Sequence, residues 1–79
     1  MKANNLCGKR VKLARIDKEM KQVELSAALS VDHDIEISQK ALSRLELGIR
    51  PVKDIELVAL AKILGVKTTW LLFGDKGEK

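Results

Sequence analysis

Residues 38–48 read Ser38-Gln39-Lys40-Ala41-Leu42-Ser43-Arg44-Leu45-Glu46-Leu47-Gly48, and this stretch decides the fold. Ser38 is a good helix N-cap, because its hydroxyl can accept a backbone N–H of the first turn. Ile37 before it and Leu42 in the following turn have the spacing of a hydrophobic staple. Gly48 suits the left-handed position just past a helix C-terminus. A helix over about 39–47 is therefore predicted. At roughly 100° per residue, Ala41, Leu42, Leu45 and Glu46 share one arc of it. Gln39, Lys40, Ser43, Arg44 and Leu47 share the other. One face is apolar except for a carboxylate, and the opposite face is polar and basic except for a leucine.

The apolar period is helical in both directions from here. A first helix is predicted over about 6–19. Cys7, Val11 and Ala14 form one stripe on it and Leu6, Leu13 and Ile16 a second, so its buried face stays open. Arg15 follows Val11 at i+4 and leans inward, where a charge requires a partner. A second helix runs from Gln22 to about Ser30 with Leu25, Ala28 and Leu29 facing in, and Lys21 is a poor cap for it. Val31-Asp32-His33-Asp34-Ile35-Glu36 lacks a helical apolar period and reads as a loop. After Arg50-Pro51, a fourth helix over about 53–64 is apolar round much of its circumference, the mark of a helix central to a core or shared with a partner. Gly65 ends it. Thr68 is placed to cap a short fifth helix carrying Trp70, Leu71, Leu72 and Phe73, of which Trp70 and Leu71 read as packing residues, and the charged tail 75–79 is expected to fray.

A chain of 79 residues allows one domain, 1–79 with its core at about 6–74, and leaves no room for a deep substrate pocket. Apolar residues at 46% exclude a disordered chain. No apolar run approaches the roughly 18 residues needed to cross a bilayer, and no apolar segment follows the first charges as in a signal peptide. A cytoplasmic protein without membrane contact is expected. The single cysteine, Cys7, excludes an internal disulfide and reads as a small core residue. Asp32, His33, Asp34 and Glu36 could each ligate a metal. Adjacent in a loop, they read as a solvated acidic turn, and neither metal nor cofactor is expected. No nucleophile–base pair or phosphate loop is present, so no enzyme is expected.

The net charge of +4 hides a segregation along the chain. Residues 1–22 carry seven Lys and Arg against two acids, a net of +5. Residues 23–37 carry four acids and no Lys or Arg, a net of −4. Residues 38–53 return to +3, from Lys40, Arg44, Arg50 and Lys53 against Glu46. Two short helices followed by one with Gln39, Lys40, Ser43 and Arg44 on its outer face suggest a helix-turn-helix. A helix fits the major groove, where Arg or Lys suits guanine O6/N7 and Gln suits adenine N6/N7. The acidic side chains of Asp32, Asp34 and Glu36 should then stay off the outer face of Lys40 and Arg44.

From about Gly8 to Gly74 the chain resembles the phage-repressor and Cro-type helix-turn-helix domains, also called the xenobiotic-response-element family. The resemblance is carried by Gln22-Val23-Glu24-Leu25, by Ser38 to Gly48, and by Leu64-Gly65-Val66-Lys67-Thr68-Thr69-Trp70-Leu71-Leu72, in that order. It implies an all-α, single five-helix, lambda-repressor-like domain with a lengthened turn between helices two and three. It implies base reading by Gln39, Lys40 and Arg44. Gln22 is implied as a phosphate clamp, Ser38 and Ser43 as further backbone or base contacts, and Arg50 as a backbone contact. Leu47 sits where relatives place a polar phosphate contact and would instead meet a thymine methyl or a sugar. Arg15 and Glu46 resemble the family's buried ion pair. Ser30 stands where relatives have a turn glycine. The partner implied is double-stranded DNA, bound by a homodimer, and the role is transcriptional regulation, most often repression. Two other readings are weighed beside it. One is the antitoxin of a toxin–antitoxin pair, with a toxin as second partner. The other is a protein-interaction module on the same fold, against which the basic outer face argues.

Overall fold

Five α-helices and their short connections make up residues 3–74, the part of the chain that the computed structural model describes. They are α1 (Gly8–Asp17), α2 (Gln22–His33), α3 (Gln39–Glu46), α4 (Asp54–Leu64) and α5 (Thr68–Phe73), with no strand among the described residues. The expected frayed tail lies outside them.

Packing decides what the periodicity of α1 left open. Cys7, Val11 and Ala14 are buried, while Leu6, Leu13 and Ile16 are each more than half exposed. Small residues on the inner stripe let α1 approach α3 closely. A Cβ on Gly8 would lie 2.1 Å from the Leu45 carbonyl oxygen, so only glycine fits there. The helix starts at Gly8, two residues later than the sequence predicts. It ends in a Schellman arrangement, in which Glu19 takes a left-handed φ of 58°. The Met20 N–H donates to the Arg15 carbonyl at 3.0 Å.

The second helix corrects the sequence reading. It starts at Gln22 as predicted, but it runs to His33, so Val31–His33 are helical and only residues 34–38 connect to α3. The physical cause is the stop signal. Asp34, with φ 57°, takes the left-handed position, and the Ile35 N–H folds back to the Leu29 carbonyl at 3.0 Å. Aspartate tolerates that conformation better than most residues. Ser30, expected at the turn, lies inside the helix and donates its hydroxyl to Glu36 at 2.8 Å. Lys21 contributes no side-chain cap, and the Glu24 carboxylate accepts the Lys21 N–H at 2.7 Å instead.

The core is leucine-rich: Leu25 and Leu29 of α2, Leu42 and Leu45 of α3, Leu60 of α4 and Leu71 of α5 are all fully buried. Each such side chain contributes roughly 1.5–3 kcal/mol by leaving water. Helix α4 packs on α1, α2 and α5 through Ala59, Leu60, Ala61 and Leu64, leaving Ile55 and Val58 exposed. Gly65 closes it with φ 70°. Thr68 is the first residue of α5 rather than its cap, a position held by Lys67. Trp70 packs half-buried against the core. Burial pushes the Cys7 thiol up from its ordinary value, consistent with a packing role. Among the described residues no helix is long and apolar enough to cross a membrane. Among them, too, no group of His, Cys, Asp or Glu is placed to hold a metal ion.

Candidate nucleic-acid interface

Helix α3 presents the face that the sequence predicts. Leu42, Leu45 and Glu46 are buried; Gln39, Lys40, Arg44 and Leu47 are exposed, and Ser43 is half-buried between them. Ser38 caps the helix, its Oγ accepting the Ala41 N–H at 3.1 Å. Ile37 and Leu42 are buried in the same cluster, as a hydrophobic staple requires. The capped first turn points backbone N–H groups and the positive end of the helix dipole outward from Gln39 and Lys40.

A short amphipathic helix of this length does not hold its own orientation, and three sets of bonds fix it. At its start, the Ser26 hydroxyl of α2 donates to the Ile37 carbonyl. In its last turn, Glu46 meets Arg15, with Nε to Oε2 at 2.7 Å and Nη2 to Oε1 at 3.0 Å. Arg15 Nη1 continues to the Met20 carbonyl at 2.8 Å. At its end, Gly48 adopts φ 83° and the Ile49 N–H donates back to the Arg44 carbonyl at 3.0 Å. Asn5 Nδ2 reaches the Leu45 and Arg50 carbonyls at 3.0 and 2.7 Å, and Asn4 Nδ2 reaches that of Ile49 at 2.6 Å.

Gln22 joins the same network. Its Nε2 donates to Glu46 Oε1 at 3.0 Å, which leaves the second amide hydrogen for another acceptor. The buried carboxylate thus orients both an arginine of α1 and the glutamine that opens α2. Arg50, expected at the DNA backbone, is held from within the chain by Nη1 and Nη2 and keeps Nε and part of its surface open. Its guanidinium lies on Glu56 in two parallel bonds of 2.9 and 3.1 Å, and Nη1 also reaches the Pro51 carbonyl. This pairing holds the Glu56 carboxyl below its ordinary range and raises Arg50. Arg10 of the basic first segment reaches the Leu72 carbonyl at 3.4 Å, tying α1 to the end of α5.

The acidic segment makes no ion pair with α3 among the described residues. Among the described residues the ion pairs are Arg15–Glu46 and Arg50–Glu56, and Glu36 bonds to Ser30. Neither Lys40 nor Arg44 pairs with Asp32, Asp34 or Glu36. Gln39, Lys40, Ser43, Arg44 and Leu47 lie on the side of α3 opposite the buried Leu42, Leu45 and Glu46, and Glu46 holds Arg15 and Gln22. The sequence reading singled out neither Asn5 nor Ser26. Asn5 carries one local signal, the spacing of a cap to Gly8, whose N–H it accepts at 2.8 Å, but its bonds to Leu45 and Arg50 span 40 and 45 residues.

The helix-turn-helix family matches residues 11–71, most of the chain, from within α1 to within α5. The protein belongs to the Cro/repressor-type helix-turn-helix family. No curated protein matches the chain. As a helix-turn-helix domain it binds DNA and belongs to a class that regulates transcription. The family is one of DNA-binding domains, not of enzymes.

Proposed function

We propose that this helix-turn-helix protein binds double-stranded DNA with α3 in the major groove, where Gln39, Lys40 and Arg44 read base edges. The observation that carries this reading is the division of α3. Its inner face is locked by Leu42, Leu45 and the Arg15–Glu46 pair, while Gln39, Lys40 and Arg44 are exposed and Lys40 and Arg44 make no ion pair among the described residues. Amide and guanidinium donors on a groove-sized helix match the acceptor pattern of purines. Ser43 and Leu47 lie on the same face, the first a small hydrogen-bonding group and the second an apolar contact of the kind a thymine methyl takes. Ser38 and Gln22, at the starts of α3 and α2, lie where free N–H groups and the helix dipole favour phosphate. Phosphate contacts set register and base contacts set specificity. Arg50 contributes by holding the connection after α3 in place.

We further infer a homodimer that acts as a repressor by occupying its site. A dimer of such domains meets two half-sites about one helical turn, ~34–36 Å, apart. One domain measures 33 × 29 × 22 Å, the size of a body that covers one half-site. Exposed Leu6, Ile55, Val58 and Phe73 supply apolar surface outside α3. Selection from randomised duplexes tests the reading. The wild type should enrich a two-fold symmetric motif, and Arg44→Ala should lose about 1–3 kcal/mol on it and relax at one base position. Absence of an enriched motif, with binding insensitive to salt, would overturn it.

A further inference from the structure

We propose that Asn5 is a positioning residue for base reading: it sets the C-terminal half of α3 independently of the N-terminal half. The inference rests on the reading of α3 as the base-reading helix.

Asn5 is half-buried and its side-chain amide makes three hydrogen bonds. Both Nδ2 hydrogens go to carbonyls on either side of Gly48, those of Leu45 at 3.0 Å and Arg50 at 2.7 Å, while Oδ1 accepts the Gly8 N–H at 2.8 Å. One side chain thus joins the start of α1 to the last turn of α3 and to the segment that follows it. Asn4 extends the seam, with its N–H on the Gly48 carbonyl at 2.8 Å and its Nδ2 on that of Ile49. The seam is tight, since the Leu45 oxygen leaves no room for a Cβ on Gly8. It anchors the part of the helix that carries Arg44 and Leu47. The other end of α3, which carries Gln39 and Lys40, is held by separate bonds, Ser26 to Ile37 and Ser38 to Ala41. The Arg15–Glu46 pair fixes how deep the last turn sits, and the Asn5 seam fixes where it ends. Loosening the seam therefore tilts that end while the Ser26 and Ser38 bonds keep the other in place. A misplacement of a few tenths of an ångström spoils a bidentate contact to a base before it changes attraction to phosphate.

The substitution that isolates this role is Asn5→Asp. Aspartate keeps the acceptor that caps Gly8 and is itself a good N-cap. It loses both donors and sets a carboxylate against two carbonyls. Randomised-duplex selection would be run on the wild type, Asn5→Asp, Asn5→Ala, Arg44→Ala and Gln39→Ala, with thermal unfolding alongside. The expected result is that both Asn5 variants lose about tenfold of base preference at the positions that Arg44→Ala relaxes, within the range of one good base contact. They should keep preference at the positions that Gln39→Ala relaxes. The binding of Asn5→Ala to non-specific duplex should match wild type, and the added charge of Asn5→Asp should weaken binding to all duplexes evenly. Uniform relaxation at all positions, relaxation confined to the Gln39 positions, or no change in either variant would overturn the proposal. An Asn5→Ala that does not fold leaves the decision to Asn5→Asp. Should Asn5→Asp also fail to fold, the side chain is structural and the proposal falls. A wild type that enriches no motif would sink the base-reading reading itself, and this inference with it.

Discussion

Arg15 of α1 and Glu46 of α3 are joined side by side, Nε to Oε2 at 2.7 Å and Nη2 to Oε1 at 3.0 Å, with side chains only 11% and 3% exposed. Such a pair offsets its own desolvation only while both charges are present. Glu46→Ala leaves Arg15 buried without its counter-charge and removes the acceptor of Gln22. It should lower stability by about 3–5 kcal/mol, read as a fall in the urea midpoint at unchanged slope. A loss below about 1 kcal/mol would mean that water screens the pair as at a surface.

Glu56 gives the domain an acid-sensitive joint. Its hydrogen bonds from Arg50 are the main reason its carboxyl lies below the ordinary value of 4.5. A carboxylate whose folded value is depressed adds stability that is complete above the unfolded value and is lost as pH falls through the folded one. Arg50 stays charged across that window. Urea midpoints of the wild type should therefore fall between about pH 5 and pH 3. Those of Glu56→Gln should be lower at pH 7 and flatter across the same range. Parallel curves for the two proteins would show that other carboxylates govern the acid limb.

Glu19 closes α1 in a left-handed conformation, φ 58°, with its side chain exposed. That backbone strains a residue with a Cβ by ~1–2 kcal/mol, against ~0.4–1 kcal/mol of extra unfolded-chain entropy for glycine. Glu19→Gly should then stabilise by roughly 0.5–1 kcal/mol and raise the Tm by roughly 2–6 °C. A lower Tm would show that the Glu19 side chain contributes something its exposure hides.

Gln22 is neutral, and this separates its role from those of the lysines and arginines. Gln22→Ala should weaken binding to the preferred duplex and to unrelated duplex alike, by about 1.5–3 kcal/mol, the worth of a hydrogen bond to a charged group. The slope of affinity against salt should not change, because no counterion is released on its account. Fluorescence titrations at several salt concentrations read both quantities. Loss confined to the preferred duplex would place Gln22 among the base readers instead.

Much of this was legible in the chain because the signals are local. The start and stop of α3, from Ser38 to Gly48, lie within a dozen residues, and capping chemistry acts over that distance. The Arg15–Glu46 pair was visible as two charges on inner faces, each needing the other. The end of α2 is not legible in the chain because Val31 and Asp32 are exposed and, with half-buried His33, carry no apolar period. The helix continues there because Asp34 accepts a left-handed stop three residues later than expected. The choice between two stripes on α1 could not be made from spacing, since Leu13 and Ile16 are as apolar as Val11. What settles it is the close approach of Gly8 to Leu45.

By itself the sequence determined that five helices form, which side of the third is apolar, and which side offers donors. Those are properties of neighbours along the chain, set by caps, period and charge. Only the tertiary structure decided how that third helix is held. Asn5 and Leu45 are 40 residues apart, Ser26 and Ile37 sit on different elements, and Glu56 takes Arg50 while Gln22 turns to Glu46. A hydrogen bond of this kind carries no periodic mark in the sequence. It exists only once packing of the leucine core has brought donor and acceptor within 3 Å.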